Sequence, residues 1–149
     1  MSSIWSHIKR AVIVVHYSSL DDVKKMREAI KEVGLNINDC EIIAVVENKK
    51  EKDILSEISS VTYLNEKDLT FFGKLKNENM AKVAKRSFDA LFFVGDFSKR
   101  IIKIAKPIQT RIQVGINSEM PNCSVYLNTS ELSPAHLINF TKQTLEKTI

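Results

Sequence analysis

Ala11-Val12-Ile13-Val14-Val15 is an unbroken run of apolar, mostly β-branched residues. A strand with one wet face alternates apolar and polar residues. A run without alternation marks a strand buried on both faces, as in parallel sheets covered by helices. The residues that follow decide the connection. Ser19 stands three positions ahead of Asp22, a capping-box pattern with Asp in place of Glu. Val23, Met26, Ile30 and Val33 then recur at intervals of three and four, which gives a helix one apolar stripe. Gly34 closes that helix. Glu41-Ile-Ile-Ala-Val-Val46 is a second continuous run. Strand, helix and strand predict a βαβ unit with a right-handed crossover.

The pattern continues outward. Val61-Thr-Tyr-Leu64 reads as a short strand, and Phe88-Asp-Ala-Leu-Phe-Phe-Val-Gly95 as a long one. Arg111-Ile-Gln-Val-Gly-Ile116 follows, and Ser124-Val-Tyr-Leu127 is a shorter segment nearer an edge. Helices are expected from Asn77 or Asn79 through Met80 and Val83, and from Ser98 to the stop at Pro107. Ser133-Pro134 opens the last helix, with Leu137, Ile138, Phe140 and Leu145 on its core face. Glu47 to Lys52 reads as a polar connection, and Ile54, Leu55 and Ile58 as a short helix or irregular segment. Strands alternating with helices predict a three-layer, Rossmann-like α/β domain with about five mainly parallel strands and helices on both faces. The 149 residues form a single domain, with residues 1–10 as a loosely attached arm.

Composition narrows the function. The hydrophobic share of 44% and charged share of 27% are those of an ordinary globular protein. Cys40 and Cys123 have no CxxC or CxxH neighbours, so they read as reduced thiols. His7, His16 and His136 show no metal-ligand spacing, and no metal is expected. The first residues, MSSIWSHIKR, hold no apolar run of signal-peptide type, and a cytoplasmic protein is expected. The net charge of +4 permits an anionic partner without requiring one.

Candidate sites come from topology. In open α/β sheets ligands sit beyond the carboxyl ends of the strands. Here those ends carry His16, Glu47, Asp96 and Asn117, a set that either lines a pocket for a small ligand or simply solvates the sheet edge. Neither a phosphate-binding glycine loop nor a G-x-S-x-G elbow is present. The turn His16-Tyr-Ser-Ser-Leu-Asp-Asp22 lacks glycine, and its two acids oppose an anion at that helix start. No cofactor is expected. Ser98, Lys99 and Arg100 at a later helix start form either an anion site or an ordinary cap with solvated cations.

The basic residues suggest a further use. Phe71 and Phe72 precede Lys74, Lys76, Lys82, Lys85 and Arg86. Exposed aromatics beside lysines stack bases while the cations meet phosphates. Phenylalanines in the core would leave only a solvated helical face. No ribonucleoprotein aromatic motif or GXXG loop accompanies them. The leading expectation is a non-catalytic binding or adaptor module for RNA, a ribonucleoprotein or a protein partner. The alternative is a nucleotide- or nucleotide-sugar-binding protein or enzyme.

Three segments carry a family resemblance. Thr70-Phe-Phe-Gly-Lys-Leu-Lys-Asn77, Ser87-Phe-Asp-Ala-Leu-Phe-Phe93 and Arg111-Ile-Gln-Val-Gly-Ile116 resemble a family of small Bacteroidetes α/β proteins with no established activity. Glu41 to Lys50 fits the same pattern. Phe88-Asp, the apolar strand it opens, a helix and Arg111-x-x-Val-Gly115 are also similar to the N-terminal Rossmann-like half of heptosyltransferase-type glycosyltransferases. Those enzymes hold the nucleotide sugar with a second such domain. The resemblance therefore implies a lone half without transferase activity.

Overall fold

The computed structural model describes residues 2–149. Six strands run β1 (Ala11–His16), β2 (Glu41–Val45), β3 (Val61–Leu64), β4 (Ser87–Val94), β5 (Gln109–Ile116) and β6 (Val125–Leu127). Five helices intervene: α1 (Leu20–Glu32), α2 (Lys49–Asp53), α3 (Glu78–Ala84), α4 (Lys99–Ala105) and α5 (Pro134–Glu146). The sheet order is β3-β2-β1-β4-β5-β6, and every pairing is parallel. This is the Rossmann-like order, with six strands where the sequence predicted about five. Val125 to Leu127 completes the edge beside Val114 to Ile116.

The two-residue period of the strands explains why both faces are apolar. Ala11, Ile13 and Val15 enter one core, together with Met26 and Ile30 of α1 and Leu137 and Leu145 of α5. Val12 and Val14 enter the other, with Met80 and Val83 of α3 and Ile101 and Ile104 of α4. Cys40 belongs to the first core and Cys123 packs against the second, so the two free thiols lie on opposite faces of the sheet.

Three local expectations are corrected. Residues before β1 are not a loose arm: Ile8 is buried, and the Ile4 amide donates to the Thr148 carbonyl at 2.7 Å. The Asp89 carboxylate also accepts from the amides of Lys9 and Arg10. Met1 lies outside the described residues. Lys49–Asp53, within the segment expected as a polar connection, forms a helix, because the Asn48 side chain caps it by accepting from the Glu51 amide, and residues 54–58 take the irregular alternative. Of the capping box read at Ser19, only half forms. Ser19 Oγ accepts from the Asp22 amide, while the Asp22 carboxylate accepts from Ser18 Oγ instead.

Residues 70–76 form a small hairpin. Leu69 and Leu75 make an antiparallel bridge. The Gly73 amide donates to the Thr70 carbonyl, and the Thr70 amide to the Lys74 carbonyl. Gly73 has φ +81°, the left-handed residue that follows the turn in a hairpin with a one-residue bulge.

Candidate functional site: the Phe71–Phe72 hairpin and the switch-point cleft

The hairpin is held at its base by polar groups. Asn65 caps the short turn Glu66–Asp68 in a full capping box with Asp68. The Asn65 side chain also donates to the carbonyls of Val46 and Glu47, which ties this turn to the end of β2. Asn77 Nδ2 donates both to the Tyr63 carbonyl and to Asp68 Oδ2, closing the far end of the hairpin onto β3. Lys52 adds an ion pair to the buried Asp68 at 3.4 Å. Buried polar groups cost free energy unless they are paired, and this cluster is paired.

From that base the hairpin carries two phenylalanines outward. Phe71 and Phe72 are each 93% exposed, which answers whether they are core or surface. Their rings meet edge to face at 5.5 Å, and nothing else covers them. A Cβ added at Gly73 would lie 3.5 Å from Lys103 Nζ, so the hairpin lies against α4. Lys99, Lys103 and Lys106 are all exposed and recur at helical spacing along α4 and its C-cap. Between Asp96 and Glu119 the chain holds no acidic residue at all.

The proposed anion group at the start of α4 is put to other uses. Arg100 donates from Nε to the Glu66 carbonyl at 3.3 Å and from Nη2 to the Leu69 carbonyl. It therefore straps the hairpin to α4. Ser98 Oγ accepts from the Ile101 amide as an ordinary cap, and Lys99 is solvated.

The basic residues expected to form one patch are divided. Lys74 and Lys76 lie on the hairpin. Asn77, at the start of α3, sits at the carboxyl end of β3, whereas Arg86, just past its end, pairs with Glu41 at the amino end of β2. The helix thus runs from the carboxyl ends of the strands to their amino ends. Lys82 and Arg86 line a different cavity, of about 530 Å³, with Glu41 and Thr62, and Lys85 is exposed near the same end. The Arg86 guanidinium also lies over the Phe88 ring, 4.8 Å from its centroid.

Glu41 is the buried charge of this amino-end cavity. It accepts from Thr62 Oγ1 at 2.9 Å and from Arg86 at 3.4 Å. Burial pushes its carboxyl above the usual glutamate range, and the two partners offset this only in part.

The four strand-end residues are likewise brought together in part. His16 ends β1, and its Nε2 meets the Asp96 carbonyl at 2.6 Å. A carbonyl only accepts, so Nε2 carries the proton. The imidazole stacks on Phe97, centroids 4.2 Å apart. His16 and Asn117 line a cleft of about 340 Å³ between the carboxyl ends of β1 and β4 and the helices α1 and α5. His16 and Glu47 line a second cavity of about 300 Å³, on the Phe97 side. The Asp96 carboxylate turns away from both, accepting from Ser118 Oγ and the Glu119 amide. The sequence could place these residues at one edge, but not reveal that His16 divides that edge into two cavities.

Among the described residues, no three His, Cys, Asp or Glu side chains converge as a metal site, and no helix is long and apolar enough to cross a membrane.

Comparison with known proteins adds a family and a fold neighbour. A model described as "Family of unknown function (DUF6913)" matches residues 2–146. No curated protein matches the chain. Among solved structures, a glycosyl transferase family 9 protein from Veillonella parvula DSM 2008 aligns with a TM-score of 0.51 and 18% identity. The alignment covers 91% of this chain and 41% of that one, so the chain spans under half the length of the protein it matches. At this identity the likeness is one of fold.

Proposed function

The chain belongs to the DUF6913 family, whose function is unknown, and from its own surface we propose that it is a non-catalytic binding module for single-stranded RNA. The observation that carries this reading is the pair Phe71 and Phe72, each 93% exposed at the tip of a hairpin whose base is fully hydrogen-bonded. Exposing two adjacent phenylalanines forgoes about 1.5–3 kcal/mol of burial for each ring. Aromatic faces held out on a fixed support are the element that stacks unpaired bases.

The cations beside the tip favour a strand over a flat anionic surface. Lys99, Lys103 and Lys106 form a line along one helix face, about 10 Å long at 1.5 Å per residue. The hairpin with Lys74 lies at its side. A line of charge next to stacking rings follows a phosphate backbone. A membrane-inserting tip would instead call for cations ringed around it. Lys82, Lys85 and Arg86, toward the amino ends of the strands, are not part of this surface.

Binding of labelled single-stranded RNA, duplex RNA and anionic lipid vesicles to the whole chain tests the assignment. The proposal expects the single strand to bind most tightly. Preferential binding to vesicles, or no binding to any single strand at low salt, overturns it.

A further inference from the structure

The cleft between β1 and β4 is not used by the proposed RNA surface, and its chemistry is of another kind. It lies where the strand order reverses, β1 being followed outward by β2 on one side and paired with β4 on the other. Open parallel sheets bind small ligands at that point. Its volume of about 340 Å³ suits a small molecule. Val15, Val23, Met26, Val94 and Leu137 supply apolar walls. Leu132, 66% exposed, stands at the rim.

The polar groups are chiefly acceptors. Asp22 lines the cleft, and among the described residues no Lys, Arg or His side chain lies within ion-pairing distance of it. One of its oxygens takes the Ser18 hydroxyl at 2.5 Å, and among the described residues the other accepts no hydrogen bond. His16 donates its Nε2–H to the Asp96 carbonyl, and in that tautomer Nδ1 is the accepting nitrogen. Asn117 is the exception: its Oδ1 takes the Thr129 amide, which leaves its Nδ2 as a donor. No lysine or arginine lines the cleft. The neighbouring cavity on the Phe97 side adds two further carboxylates, Glu47 and Glu66.

We propose that this cleft binds a small molecule with a protonated amine and an apolar body, the amine pairing with Asp22 and the body lying against Val23, Met26 and Leu137. A phosphate-bearing ligand would meet Asp22 where a nucleotide fold offers glycine amides. The cleft therefore selects against nucleotides even though the sheet has the order of a nucleotide-binding fold. A carboxylate at the edge of an apolar cavity gains more from a charge-assisted hydrogen bond than one in open water.

Amide NMR on the whole chain tests this with three probes of like shape: 2-phenylethylamine, 2-phenylethanol and 3-phenylpropionate. The amine is expected to shift the amides of Gly95, Asn117 and Leu132 saturably, and more tightly than the alcohol. The carboxylate is expected to leave them in place. Asp22→Asn, nearly the same shape, should weaken the amine by about tenfold or more. Leu132→Lys, a change at an exposed rim position, should weaken it without disturbing the core even if the Asp22 variant folds poorly. Equal or tighter binding of the alcohol or the carboxylate overturns the proposal. So does an amine that leaves the three cleft amides unmoved, or one that the two substitutions do not weaken.

Discussion

His16 and Phe97 stack face to face across the join of β1 and β4, with ring centroids 4.2 Å apart and planes 11° apart. The stack is set by the backbone between them. Gly95 has φ +93°, and a Cβ there would lie 3.3 Å from His16 Cδ2. Gly95→Ala thus combines left-handed strain of about 1–2 kcal/mol with a push on the imidazole. The expected result is a fall in melting temperature of roughly 2–8 °C. His16 ring resonances should move in the same variant. An unchanged melting temperature with unmoved His16 signals would contradict this account of the turn.

Arg100 is predicted to act on the hairpin rather than on a ligand. It donates to the carbonyls of Glu66 and Leu69. Arg100→Ala should cost about 1 kcal/mol, the worth of hydrogen bonds at a partly solvated site. Its signature is local: faster hydrogen exchange at the Thr70, Gly73 and Lys76 amides, which close the hairpin. Lys99→Ala, one residue away and solvated, should leave that exchange unchanged.

Glu41 gives the chain a pH-dependent component. Burial raises its folded pKa above the unfolded value of about 4.3. The folded state then holds the proton more tightly than the unfolded one. Stability from this group is fully present below the unfolded pKa and is lost as pH rises through the folded pKa. Glu41→Gln removes the titration and keeps the shape. Its melting temperature relative to the native chain should therefore rise between pH 4 and pH 7, both values chosen to bracket the window at about 4.3 and above. A relative melting temperature that falls over that interval would contradict the assignment.

The two thiols should differ in reach. Burial raises the pKa of both Cys40 and Cys123, but Cys40 is fully enclosed while Cys123 is half-buried. A disulfide reagent at mildly basic pH should react slowly with Cys123 and with Cys40 only on unfolding. Rapid labelling of Cys40 in the native protein would show that the core facing α1 and α5 opens.

The sheet was legible because its signal is local. Ala11 to Val15 and Ala90 to Val94 are apolar on both sides of the chain, and only a covered parallel sheet buries both. The exposure of Phe71 and Phe72 was not legible. Two phenylalanines beside a glycine fit a buried turn as well as a displayed one. What separates the two is the base formed by Asn65, Asp68 and Asn77, whose partners on β2 and β3 are distant in sequence. The role of Arg100 was hidden for the same reason: its acceptors are 34 and 31 residues away. Lys82, Lys85 and Arg86 looked adjacent to the phenylalanines because α3 is short, yet that helix runs from the carboxyl ends of the strands to their amino ends.

The most direct test of the central claim is the salt dependence of binding to a labelled single-stranded oligouridylate, followed by fluorescence anisotropy. Three chains are compared: the native one, Phe71→Ala/Phe72→Ala, and Lys99→Gln/Lys103→Gln/Lys106→Gln. The phenylalanine variant should lose about 1–3 kcal/mol of binding per stacked base at every salt concentration, with its salt slope unchanged. Its melting temperature should stay near that of the native chain, because neither ring is buried. The lysine variant should instead flatten the slope of log K against log salt, by about 0.7 for each phosphate contact removed. Native binding that is absent, or that both variants leave intact, would contradict the assignment of this surface to RNA.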